Sequence, residues 1–142
     1  MRAILALLFL CTSIQCGCQQ PVRPTMKDID RIQGKWALIS GERHGQPFAN
    51  ETIRHVTLTF DGDVLKTAKA DGVTEATFTL HPETNPKGID LDMDGSLGLG
   101  IYKLEEDTLT ILHGEVGEAR PMDFQEIKGG TLTLLVLRKT SE

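Results

Sequence analysis

From His55 onward, apolar and polar residues alternate in short runs separated by turn residues. His55-Val56-Thr57-Leu58-Thr59-Phe60 alternates without a break, and Asp61-Gly62 behind it is a hairpin signal. Glu75 to Leu80 alternates again, with Ala76, Phe78 and Leu80 in one phase. Ile89, Leu91 and Met93 face one way while Asp90, Asp92 and Asp94 face the other. Leu99 to Leu104 and Thr108 to Leu112 flank the acidic turn Glu105-Glu106-Asp107, and Thr131 to Leu137 follows Gly129-Gly130. With Lys35 to Ser40 and a weaker run near Met122 to Ile127, the pattern predicts about eight strands, the signature of an all-β antiparallel barrel or sandwich. Threonine on the polar phase suits a solvated outer sheet face. The predicted inward set is Trp36, Leu38, Val56, Leu58, Phe60, Phe78, Leu80, Leu109, Ile111, Leu134 and Val136.

One helix precedes the strands. Thr25 with Asp28 three residues later is a helix-start signature, and Met26, Ile29 and Ile32 share a face. Gly34 ends it, which gives a helix of about two turns.

The first residues are of another kind. Met1-Arg2 is positive, Ala3 to Leu10 is wholly apolar, and small and polar residues lead to Cys16-Gly17-Cys18. That is a secretory signal, and its apolar run is too short for the ~20 residues a bilayer-spanning helix needs. All three cysteines (Cys11, Cys16 and Cys18) fall inside it, so the domain behind must hold without disulfides. Gly17-Cys18 resembles the end of a bacterial lipobox, although Gln15 stands where leucine is usual. The segment predicts a signal over residues 1–18, cleavage before Cys18 and lipid attachment to that cysteine, with simple cleavage as the alternative. Residues 19–24 form a proline-containing tether, and residues 25–142 form the one domain. The protein is thereby expected to be exported, either as a membrane-anchored lipoprotein or in the periplasmic or extracellular space. Loss of Arg2 with the leader moves the net charge from −5 to −6, a balance that speaks against nucleic acid as a partner.

Several ordered motifs carry a family resemblance. Gln33-Gly34-Lys35-Trp36 after a short helix resembles the opening of lipocalin-like barrels. Gly45-x-Pro47, Leu58-x-Phe60-x-Gly62-Asp63, Pro86-Lys87-Gly88-Ile89-Asp90-Leu91, Gly100-Ile101-Tyr102, Asp107-Thr108-Leu109, Arg120-Pro121-x-x-Phe124 and Leu135-Val136-Leu137-Arg138 follow in order. The set resembles a lipocalin-like domain of uncharacterised function, expanded in planctomycete bacteria. The resemblance implies a small calycin-type barrel of about eight strands with a short N-terminal helix. It also implies a barrel seam at which Arg138, from the last strand, covers the indole of Trp36, a contact worth roughly 0.5–2 kcal/mol. An ordinary core tryptophan beside a solvated arginine is the alternative. The thiol that many members carry after the Asp-Thr-Leu strand is replaced by Leu112-His113. The resemblance supplies a fold and no activity.

The search for chemistry returns little. Asp90-x-Asp92-x-Asp94-Gly95 imitates the start of a calcium loop, but the twelfth position is Ile101 where a bidentate acid is needed. His44, His55, His81 and His113 show no zinc spacing. His113 is in phase with Leu109 and Ile111 and is the candidate for the rim of an interior ligand cavity. No nucleophile elbow or phosphate loop occurs, and Glu105-Glu106-Asp107 reads as a solvated hairpin tip. Arg120 reads as a strand-entry ion pair rather than an anion clamp.

The expectation is therefore a non-enzymatic domain with no catalytic residue, cofactor or metal. Its expected partners are the membrane, through the lipid, and a small apolar ligand. A solid-barrel interaction or structural module is the competing class, and a haem or metal barrel using His113 the third. The bulk of the inward residues predicts at most a shallow, one-ended cavity, with Ala76 and Gly100 making the room.

Overall fold

A computed structural model describes residues 26–141. The signal over residues 1–18, Cys18 itself and the tether over residues 19–24 lie outside the described residues.

Nine strands form one antiparallel sheet: β1 (Gly34–Arg43), β2 (Gln46–Pro47), β3 (Thr57–Asp61), β4 (Val64–Lys69), β5 (Gly72–His81), β6 (Lys87–Met93), β7 (Ser96–Glu105), β8 (Thr108–His113) and β9 (Thr133–Lys139). From β3 to β9 each strand pairs with the next, and β9 returns to pair with β1. Eight strands thus close a barrel, and β2 is a two-residue addition to the edge of β1. Closure removes the free edges that an open sheet would present.

The strand count matches expectation through two compensating differences. The run at 122–127 is not a strand: Asp123 accepts a hydrogen bond from the Gln125 amide (2.9 Å) and starts a 3-10 helix over Phe124–Gly129. The barrel strand outside the expected set, apart from the two-residue β2 at the edge, is β4, whose inward positions Leu65, Thr67 and Lys69 become polar toward one end and so hide the alternation. A second unforeseen element is the helix α2 (Asn50–His55) between β2 and β3.

The chain reverses at two ends. Hairpins at 61–64 and 105–108 share one end with the helix α1 (Asp28–Arg31), and that end is closed. Trp36, Phe60, Phe78, Ile89, Tyr102, Leu109 and Leu137 pack there, with Ile32 fully buried behind α1. Each fully buried side chain of this size contributes roughly 1.5–3 kcal/mol. The helix has one turn where two are predicted, because Lys27 is extended and the chain leaves the helix at Ile32. The Ile32 carbonyl accepts a 2.8 Å hydrogen bond from Trp36 Nε1, so the buried indole is satisfied by the helix end that covers it.

The last strand corrects two expectations at once. Its inward phase is Thr133, Leu135, Leu137 and Lys139, not Leu134 and Val136. Leu134 packs outside, in a second cluster with Ile101, Leu112, Ile127 and Leu132 under the 3-10 helix. The same phase turns Arg138 outward, where it pairs with Ala37 and is exposed. Lys139 pairs with Trp36 instead, and its Nζ lies 5.4 Å from the indole centroid and 2.9 Å from the Arg31 carbonyl. The seam joins first and last strands at Trp36, but the cation over the ring belongs to Lys139. In β1 the register slips between Leu38 and Ser40, and the extra residue, Ile39, lies exposed. Beyond this bulge Gly41 and Arg43, paired with Leu135 and Thr133, join the inward set.

A carboxylate anchors the closed end. Asp28 is 8% exposed and accepts bonds from Tyr102 Oη (2.8 Å) and Lys87 Nζ (2.7 Å), with Arg31 at 3.3 Å. Burial alone would raise its pKa. The Lys87 and Tyr102 hydrogen bonds and the charges of Lys87 and Arg31 outweigh that and hold it below the usual range. Burial, the Asp28 hydrogen bond and the Asp28 charge all push the Tyr102 phenol upward. Since the native state favours the neutral phenol, this stability is present below the ordinary value of about 10 and is lost as pH rises through the native value. Tyr102 is the chain's single tyrosine, so tyrosinate absorbance reports it alone. The native protein should remain unionised well past pH 10 and titrate normally once unfolded in denaturant; ionisation near 10 in the folded protein would contradict the buried pair.

Candidate ligand-binding cavity

The other end of the barrel is open. A cavity of about 630 Å³ enters there, within the range of about 300–1,000 Å³ typical of small-molecule sites. Its floor is Leu38, Leu58, Leu65 and Ile111, and Val56, Ala76, Leu91 and Leu135 line its walls. Below the floor lie the packed side chains of the closed end.

This cavity is larger than the shallow depression the sequence predicts, for a reason visible in the strands. With Leu134 and Val136 outside, β9 contributes Thr133 and Leu135 to the upper half. Gly41, Thr67 and Thr74, none of them in the predicted inward set, face the same half. Large side chains occupy the closed half and small ones the open half, so the cavity is one-ended. Ala76 lines it as anticipated. Gly100 acts differently: a Cβ there would sit 2.9 Å from His113 Cβ, so its absence lets His113 pack against β7.

Phe48 and α2 cover part of the mouth. The Phe48 amide donates to the Gly41 carbonyl (2.9 Å), and a Cβ on Gly41 would collide with the Phe48 ring. Glycine at 41 is what permits the ring to lie over the strand.

His113 stands in the wall, half-buried. Its Nδ1 lies 3.1 Å from the Gly114 carbonyl, which only accepts, so Nδ1 carries the proton and Nε2 is left with a lone pair. Burial depresses the imidazole pKa, the Gly114 bond opposes this, and the Arg43 charge adds to the depression; the ring is neutral at pH 7. Thr133 pairs with His113 on one side and with Arg43 on the other. Arg43, Thr133 and His113 therefore form one cross-strand row on the inner surface of β1, β9 and β8. Arg43 Nε donates to Thr133 Oγ1 (3.3 Å), and the guanidinium lies 6.0 Å from the Phe48 centroid. No local motif marks Arg43 or Thr133; the row exists only through strand pairing.

The remaining candidates are dispersed. Asp90 pairs on the outer face with Arg120 (2.6 Å) and His81 (2.8 Å), while Asp92 accepts from the Gly95 amide in a hairpin turn. Arg120 also donates to the Gly100 carbonyl (2.8 Å), which makes it a strap across β6 and β7. His44 pairs with Glu115 at 3.3 Å, and His55 sits on α2 at the mouth. Glu105, Glu106 and Asp107 are exposed at the closed end. Among the described residues, no three His, Cys, Asp or Glu side chains gather around one point. No protein-family model matches the chain, and no curated protein matches it.

The Gly41–Phe48 contact is testable by a double-mutant cycle. Gly41→Ala should lower stability by about 1–3 kcal/mol through overpacking. In a Phe48→Ala background the same change should cost much less, since the clashing ring is gone. Equal costs in both backgrounds, from urea unfolding, would show that Phe48 does not rest on Gly41.

Proposed function

We propose that this protein is an exported, lipid-anchored binding domain, non-enzymatic, that holds a small apolar ligand in its barrel. The observation that carries this reading is the one-ended cavity with an aliphatic floor and walls. A solid interaction module has no use for such a volume, and apolar surface left open to water stabilises nothing until a ligand covers it. Met93, exposed at the tip of the β6–β7 hairpin, extends apolar surface to the mouth. The ordered motifs that resemble the planctomycete lipocalin-like domain support the barrel fold alone. Export and anchoring rest on the leader and Gly17-Cys18.

Binding is tested with a neutral solvatochromic probe such as N-phenyl-1-naphthylamine. We expect saturable uptake and a rise in melting temperature by mass action. Ala76→Phe, which fills the cavity from its wall, should abolish uptake while the protein remains folded. Absence of uptake by the unmodified barrel would leave the solid-module reading in its place.

Anchoring is tested by intact-mass analysis of the membrane fraction from an expressing bacterial host. The expected mature form begins at Cys18 and carries acyl chains, since one chain alone anchors weakly. A soluble form cleaved elsewhere would refute the lipid attachment.

A further inference from the structure

The cavity is not uniformly apolar, and the row Arg43, Thr133 and His113 is its organised polar feature. We propose that the ligand is a single-chain amphiphile with a carboxylate head group, held by Arg43 and Thr133 at the mouth with its tail on the aliphatic floor. This rests on the apolar-cavity reading above and adds the chemistry of the head group.

Three observations carry it. First, Arg43 has no carboxylate partner among the described residues, although the chain is acidic and other surface cations such as Arg31, Arg54, Lys87 and Arg120 are paired. Second, the guanidinium is positioned. Its Nε is bound to Thr133 and its plane lies near Phe48, which leaves Nη1 and Nη2 as a fork matched to the two oxygens of a carboxylate. Third, the row stands above a floor of Leu38, Leu58 and Leu65, so a molecule gripped there has an apolar volume for its tail. Thr133 is itself 5% exposed and accepts from Arg43, so its hydroxyl proton is free to point at the same head group. His113, the next group in the row, flanks Thr133 on the β8 side at the same level.

Other charges also line the mouth. Glu51 is paired with Arg54 (3.9 Å), while Lys69 and Asp71, of opposite charge, flank the β4–β5 turn. They leave Arg43 as the cation that a second side chain orients.

The test measures displacement of N-phenyl-1-naphthylamine by three ligands of equal chain length: a medium-chain fatty acid, its alcohol and its methyl ester. The wild-type protein should bind the acid at least about tenfold more tightly than either neutral analogue, the scale of one charge-assisted hydrogen-bond pair. Arg43→Met, which keeps the stem, should erase that preference by weakening the acid to about the level of the alcohol; Arg43→Gln serves should the first variant fold poorly. Lys69→Met should retain the preference. Equal affinity for acid and alcohol in the wild type would overturn the head-group assignment and leave the apolar-cavity reading standing. A preference that survives in Arg43→Met would overturn the role of Arg43. Failure of the probe itself to bind would instead remove the reading on which the proposal rests.

Discussion

The pairing of β1 with β9 is the constraint on which the remaining features depend. It turns a meander into a closed cylinder and gives the backbone groups of both strands a partner. It sets Lys139 beside Trp36 at one end and Thr133 beside Arg43 at the other, so a single ladder defines both the sealed base and the polar row of the mouth. The contacts are among the most distant in sequence that the chain makes. They carry the full loop-closure cost, and only the packing of the whole interior offsets it.

The two halves of the cylinder are packed differently. The base holds the large side chains, the indole bound to the helix end, and a buried carboxylate with three partners. No side-chain polar atom that is buried among the described residues lacks a hydrogen-bond partner. The upper half sets small and hydroxylated side chains among its aliphatic walls, around a void, and contributes less cohesion. Such an arrangement lets the mouth vary in composition while the base keeps the fold, as expected where binding residues ride on a rigid scaffold.

Much of this architecture was legible in the sequence wherever alternation was clean. The strands through Leu58, Phe78, Ile89 and Leu109 stand in the expected phase because polar residues separate their apolar positions. Leu134-Leu135-Val136-Leu137 has no polar residue to mark its face, so its phase was open by one residue, and the wrong choice carried Arg138 inward with it. In β4 the inward positions are polar because they line the cavity mouth, and a strand that serves a site loses the pattern by which strands are found. The Asp28 anchor was invisible for another reason: its partners lie 59 and 74 residues away, and nothing local announces them. The row Arg43, Thr133 and His113 was hidden in the same way.

The bulge at Ile39 has a consequence for the polarity of the mouth. Unbroken alternation from Trp36 and Leu38 would place Ser40 and Glu42 inside the barrel and turn Arg43 to solvent. One additional residue reverses this, presenting a cation where the plain register presents an anion. The electrostatic sign of the interior is thus encoded by a count of residues and not by their identity. Loss of that one uncharged residue would exchange the cation for an anion at this depth of the barrel, with every ionisable residue left in place.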